Sequence, residues 1–434
     1  METILIKALQ LVLSLSILVI VHEFGHFIFA RVFKVRVDKF YLFFDPWFAL
    51  FRYKPRKGDT EYGVGWVPLG GYVKISGMID ESMDKEFLKN PPQPWEFRTK
   101  PAWQRLLIMV GGVLMNFALA FFIYSLIAFK WGDNYIPMDK TPLYFGDVAQ
   151  EVGFRDGDIL LKADGKRLTR YDELDLFRTI EAEEVTLLRG GEELTVVLPE
   201  DFEMRVITSR SPFADFRSGV VDSVIAGGFA DEAGLRRGDR IVSVDGRRTW
   251  SFAALTSSLS EVAGTDVLLA VLRDGEEIEL AAHVDSEGKL GFTVLSPAVG
   301  VSDGHNVLTA VPAGLRLGYR KLSFYVLQLR LVFTREGIRN IGGLGAIGNL
   351  FPSKWSWPAF WDMTALLSIM LGVMNLLPVP ALDGGHVLFT VYEIITRRKP
   401  SERFLERAQY AGMFLLILLM LYANGNDILR LFTK

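Results

Sequence analysis

The sequence predicts a polytopic α-helical membrane protein of about four transmembrane helices. It adds a membrane-associated β-hairpin or sheet and two extracytoplasmic α+β domains. Three observations carry this. Half of the 434 residues are apolar, and they are gathered into four runs rather than spread along the chain. A polar region between the second and third runs contains an internal repeat. A short stretch of alternating β-type residues follows the first run directly.

The first apolar run (1–30, densest from Ile4 to Ala30) and the second (106–130) meet the ~20 residues that a helix needs to cross a bilayer. The fourth (408–424) approaches that length. The third (360–390) is broken by Asn375, Pro378, Pro380, Asp383, Gly384 and Gly385. Such interruptions are tolerated at membrane depth where protein or a water-filled cavity shelters the freed backbone. The first run has no basic leader and no small-residue cleavage site, so it reads as a span and not as a signal peptide. Lys and Arg cluster at 31–57 and 397–407. The positive-inside rule puts both clusters in the cytoplasm, and the long 130–355 region on the other side.

Residues 31–105 carry the alternating stretches Val35–Phe40 and Tyr62–Val67, followed by Pro68-Leu69-Gly70-Gly71-Tyr72-Val73-Lys74-Ile75. Period-two patterning with a Pro/Gly bend is hairpin chemistry. Placed just after the first span, the hairpin could offer an edge strand to a site there. Glycines such as Gly70 and Gly71 permit close backbone approach. A covering cytoplasmic sheet is the plainer alternative. Asp80–Thr99 is charged and Pro-rich and reads as a linker.

In the long polar region Gly153-Phe154-Arg155-Asp156-Gly157-Asp158 recurs as Gly234-Leu235-Arg236-Arg237-Gly238-Asp239, and Asp164-Gly165 as Asp245-Gly246. All pairs share one offset, which marks a duplicated unit. The two copies are assigned to 143–205 and 206–298, with 299–359 as a connecting segment. The pattern from Ala233 to Gly246 resembles bacterial PDZ domains. That resemblance implies capture of an extended peptide at a sheet edge, above all by the second copy. A spacer or size filter is the alternative.

The chemistry lies in His22-Glu23-Phe24-Gly25-His26, inside the first run. HExxH on a helix puts two histidines on one face as zinc ligands, with the Glu placed as general base. With no cysteine in the chain, a third ligand must be His, Asp or Glu. Asp383 in Leu382-Asp383-Gly384-Gly385-His386 is the candidate, an acid in an apolar, broken helix where metal coordination would offset its burial. His386 is its rival, or a hydrogen-bonding neighbour of the site, or a fourth ligand that would make the zinc structural. Asn375 could bind substrate backbone or a tetrahedral oxyanion, or cap the broken helix. The net charge of −3 gives no footprint for nucleic acid.

HEFGH in the first span, GGYVK after it, the PDZ-like tandem and NLLPVPALDGGH in a late span together resemble the bacterial site-two proteases over essentially the whole chain. These are intramembrane zinc metalloproteases of regulated proteolysis. The resemblance implies Zn2+ on His22, His26 and Asp383, with Glu23 as base. It implies substrate contacts at Asn375 and at Gly70, Gly71, Tyr72, Val73 and Lys74. The expected substrates are single-span membrane proteins, such as an anti-sigma factor or signal-peptide remnants. The expected setting is the bacterial inner membrane, amid lipid, with PDZ-like domains in the periplasm and the active site toward the cytoplasm. The alternatives are a membrane zinc peptidase with a soluble-facing site, and a PDZ-bearing scaffold.

Overall fold

The computed structural model describes residues 2–56, 58–68, 70–78, 91–209, 212–295, 300–332, 334, 337–338 and 341–432. The chain divides into two compact units, one of residues 1–132 with 304–434 and one of residues 133–303.

The first unit is built on helices α1 (Glu2–Val32), α2 (Ala102–Trp131), α3 (Val307–Val332), α4 (Trp357–Leu376), α5 (Asp383–Thr396) and α6 (Glu402–Phe432). Among the described residues α1, α2, α4 and α6 are long and apolar enough to cross a membrane. α1 turns the usual amphipathic pattern inside out. Its buried ridge runs Gln10, Ser14, Leu18, His22 and His26 at four-residue spacing, while Ile4, Leu5, Leu9 and Leu13 are exposed. Polar side chains face protein and apolar ones face outward, as lipid requires. α1 and α2 cross at glycines. A Cβ on Gly25 would stand 2.3 Å from the Gly111 carbonyl oxygen, and one on Gly111 would stand 2.8 Å from that of Gly25. Small residues at a helix crossing let the backbones meet, the usual device where lipid removes any hydrophobic drive.

The third apolar run is two helices. α4 ends at Leu376, a loop covers residues 377–382, and α5 begins at Asp383. The fourth helix extends beyond the expected 408–424 at both ends. The connecting segment, expected at 299–359, contains the 26-residue α3. α3 hid from a hydropathy reading because its arginines dilute the average. It packs on α2 through Gly314 and Gly318, whose added Cβ atoms would meet Ser125 and Phe121 within 2.4 Å.

Between α1 and α2 lie β1 (Val37–Leu42), β2 (Phe51–Tyr53), β3 (Glu61–Val64) and β4 (Tyr72–Ile75), in the order β2-β3-β1-β4. Of the expected hairpin or sheet, it is a sheet that forms. β1 lies between β3 and β4, parallel to the first and antiparallel to the second. Alternation in sequence gives the face of a strand but not its neighbours, so this order is set by the tertiary structure. The sheet runs back along α1. A Cβ on Gly71 would stand 2.7 Å from Val19 Cγ1, roughly 20 Å up the helix from Val32 at ~1.5 Å per residue. Residues 79–90 of the expected linker lie outside the described residues.

The second unit holds two modules of one design. The strands 192–197, 184–189, 159–163 and 166–167 form one sheet in that order, and 276–283, 266–273, 240–244 and 247–248 repeat it. Each module ties down its Gly-Asp turn identically. Asp158 accepts from Arg189 Nη2 at 2.7 Å and from the Arg155 amide, and Asp239 does so from Arg273 Nη2 at 2.7 Å and the Arg236 amide. The boundaries differ from 143–205 and 206–298. Ala214–Asp215 pairs with Tyr144–Phe145 and completes the first module's core, and Asp133–Tyr135 pairs with Val301–Asp303 at the base of the unit. These short pairings of two and three residues come from distant segments and leave no local signal.

Candidate metal centre

His22 and His26 lie one turn apart on the buried ridge of α1, 7 % and 6 % exposed. Asp383 reaches them from the first residue of α5. Its Oδ2 is 3.1 Å from His22 Nε2 and 3.2 Å from His26 Nε2, and the two Nε2 atoms are 3.2 Å apart. Among the described residues, these three offer ligand atoms within 4.8 Å of one another. His386 is not in that set, although it lines the cleft beside it.

The donor set fits a metal cation. His26 Nδ1 donates to the Ile108 carbonyl at 2.8 Å, so the Nε2 of a neutral ring carries a lone pair. Asp383 Oδ2 is buried and has no hydrogen-bond partner, despite the two ring nitrogens beside it. Three lone-pair atoms aimed at one point repel unless a cation lies between them. Two ring nitrogens and one carboxylate oxygen are a catalytic zinc donor set, which leaves a position open.

Residues that sequence reasoning passed over hold this arrangement. Asn116, fully buried on α2, places an amide nitrogen 3.0 Å from His22 Nδ1, and its Oδ1 has no partner. A side-chain amide has the same outline when turned over. With Oδ1 toward His22, Nδ1 donates and Nε2 keeps its lone pair for a metal. The detectable signal was one amide in the middle of an apolar span. Gly112 leaves room for both rings, since a Cβ there would stand 2.5 Å from His26 Nε2 and 2.6 Å from His22 Cε1.

The loop before Asp383 is shaped just as closely. Cβ atoms on Gly384 and Gly385 would meet the Leu377 oxygen at 2.1 Å and Pro380 Cα at 2.7 Å. Ala381 adopts φ 81°, a left-handed backbone that costs a non-glycine residue about 1–3 kcal/mol. Its N–H donates to Gln409 Oε1 of α6 at 3.3 Å, which helps to fix it. Asn375, at the end of α4, brings its amide 3.3 Å from His22 Nε2.

A cleft of about 430 Å³ opens beside the three groups. Glu23 and His386 line it, and so do Tyr72, Val73, Lys74 and Ile75 of edge strand β4. Gly70 and Gly71 serve packing instead: their Cβ atoms would meet Phe44 Cε2 at 2.8 Å and the Tyr41 oxygen at 2.6 Å. Tyr72 donates to Asp45 Oδ1 at 2.8 Å. Burial, with that carboxylate, holds the Tyr72 hydroxyl well above its ordinary pKa, so it stays a donor.

Fold and site together define a membrane-embedded metallohydrolase. The sequence model of peptidase family M50 matches residues 10–419, and the chain belongs to that family. It is accordingly a zinc metalloendopeptidase. It is 30% identical to the regulator of sigma-E protease RseP of Escherichia coli, over 97% of this chain and 98% of that one. It is also 30% identical to a protein of Ralstonia nicotianae named as a zinc metalloprotease (99% of each chain). A protein so named in Vibrio cholerae is 27% identical over 99% of this chain and all of the other.

Proposed function

We propose that the protein cleaves single-span membrane proteins within or near the membrane, in regulated proteolysis. The observation that carries this is the convergence of His22, His26 and Asp383 on helices of membrane length, beside a cleft walled by an edge strand. In this reading His22, His26 and Asp383 hold the zinc. When bound, zinc supplies Lewis-acid polarisation of the scissile carbonyl and makes water acidic enough to deprotonate near neutral pH. Glu23, one residue from a ligand and in the cleft wall, takes the water's proton on its carboxylate and passes it to the leaving amine nitrogen.

A helical amide is shielded by its own hydrogen bonds, so the substrate must unwind. β4 has an open edge at the cleft, and an extended segment of substrate can add there as a strand, with Tyr72, Val73 and Lys74 alongside. Asn375 is placed to hold substrate backbone or the developing oxyanion beside His22. The basic clusters at 31–57 and 397–407 support a reading with the cleft toward the cytoplasm and residues 133–303 in the periplasm of a bacterial inner membrane. The two modules there are read as PDZ-like, the second as a peptide binder and both as a filter against untrimmed outer domains. Anti-sigma factors and signal-peptide remnants are the substrate classes that fit.

The test is cleavage of a single-span reporter by the purified, reconstituted protein. Glu23→Gln should abolish cleavage while zinc content stays at wild type. A Glu23→Gln protein that cleaves normally overturns the mechanism.

A further inference from the structure

The buried ridge of α1 carries more polar groups than the metal centre uses. Gln10 Nε2 donates to the Pro352 carbonyl at 3.0 Å, but Gln10 Oε1 is buried without a partner. Ser14 Oγ, one turn nearer the metal centre, is in the same state, and both residues are 0% exposed. Asn116 adds a third such atom. As the amide stands, with its nitrogen toward His22, Asn116 Oδ1 is buried and has no partner. On α4, Thr364 and Ser368 are fully buried one turn apart. Thr364 donates to the Phe360 carbonyl at 2.7 Å and Ser368 to the Asn116 carbonyl at 2.8 Å, so both hydroxyls retain acceptor capacity.

A dry seam would leave each orphaned group costing about 1–3 kcal/mol. Polar groups four residues apart on a helix are separated by about 6 Å, a gap that one bridging water closes with a hydrogen bond at either end. Leu18 interrupts the ridge between Ser14 and His22. It clusters with Phe360 and Leu367 of α4, and Thr364 and Ser368 lie on that helix one turn beyond Phe360 and next to Leu367.

We propose that a file of ordered water molecules fills the seam between α1, α2 and α4 from Gln10 to Asn116. The metal centre is thereby hydrated from the Gln10 end of α1 as well as through the cleft. Hydrolysis uses one water per bond, and a substrate strand along β4 occupies the cleft that would otherwise admit it. The seam is a route that the substrate does not cover. The inference goes beyond the peptidase reading and depends only on where α1, α2 and α4 pack.

The chain has no cysteine, so single thiols report cleanly. Full-length Ser14→Cys, Gln10→Cys and Ala365→Cys proteins in sealed vesicles are exposed to silver ion, which is water-sized, in chloride-free buffer. Thiols left unreacted are counted by later alkylation and mass. Ala365 is 0% exposed in an apolar cluster and serves as the dry control. Hydrated thiols ionise and react, so Ser14→Cys and Gln10→Cys should react at least about tenfold faster than Ala365→Cys, from the Gln10 side. A Ser14→Cys protein as slow as Ala365→Cys overturns the water file. The readout is blind to peptide cleavage, so that failure would leave the peptidase reading standing. Ser14→Ala gives a second measure. Loss of a hydroxyl that binds water lowers the melting temperature, whereas removal of a dry orphan raises it, and a rise overturns the proposal.

Discussion

The amide of Asn116 meets Nδ1 of His22 at 3.0 Å, so a residue of α2 governs which nitrogen of an α1 histidine points at Asp383. A metal-ligating histidine needs its other nitrogen held, because that bond fixes both the tautomer and the ring's direction. Ile108 does the same for His26 through its carbonyl. Replacing Asn116 with Leu should therefore weaken zinc binding by about 10–100-fold. Competition against a chromogenic chelator measures this directly. Unchanged affinity would remove Asn116 from the centre.

Gly112→Ala is expected to be worse than its size suggests. The new methyl would lie within 2.6 Å of both ring systems, and the facing atoms belong to buried histidines already held by Asn116 and the Ile108 carbonyl. Overpacking of this kind costs about 1–3 kcal/mol. Zinc content should drop, and cleavage with it. A Gly112→Ala protein with full zinc would show that α1 and α2 can separate.

Arg105, in the first turn of α2, pairs with Glu393 of α5 at 2.6 Å, the two side chains 10% and 20% exposed. α5 begins at Asp383, so this pair holds the helix that presents the third ligand. Arg105→Met leaves Glu393 uncompensated and should cost about 2–3 kcal/mol, below the fully buried range because Glu393 keeps some water. Arg105→Met with Glu393→Met should recover most of that loss. Melting temperatures of the three proteins in one detergent test it.

Acid should loosen the second module at a defined place. Burial opposes the charge on Asp239, but the bonds from Arg273 and the Arg236 amide outweigh it and hold the carboxyl below its ordinary 3.8. A depressed folded-state pKa means stabilisation that is fully present above the ordinary value and lost as pH falls through the lower, folded one. Hydrogen exchange around 234–241 should stay slow down to about pH 4 and accelerate below it. Acceleration that begins well above pH 5 would point to another group.

The candidate metal centre was largely legible because its chemistry is local or costly. The HExxH spacing places His22 and His26 on one helix face, and an acid such as Asp383 in an apolar segment must have a partner. The same arithmetic located the helix break and the duplicated turns around Asp158 and Asp239. The α3 helix escaped because hydropathy averages over faces, and a helix with Arg316, Arg320 and Lys321 on it dilutes its own signal. The strand order escaped because alternation tells a strand which face is buried and not which strand lies beside it. Thus β1 came between β3 and β4, and β4 became the edge at the cleft.

The sequence by itself determined the spans, the two histidines, their acid and the repeat, since each is a matter of spacing along one segment or of the cost of one charge in lipid. Tertiary structure decided which carbonyl and which amide orient those histidines, which glycines let α2 approach them, and which strand borders the cleft. Those are contacts between segments far apart in sequence, as between His22 and Asn116 or Tyr41 and Tyr72. Only the packing of α2 and of the sheet against α1 selects them.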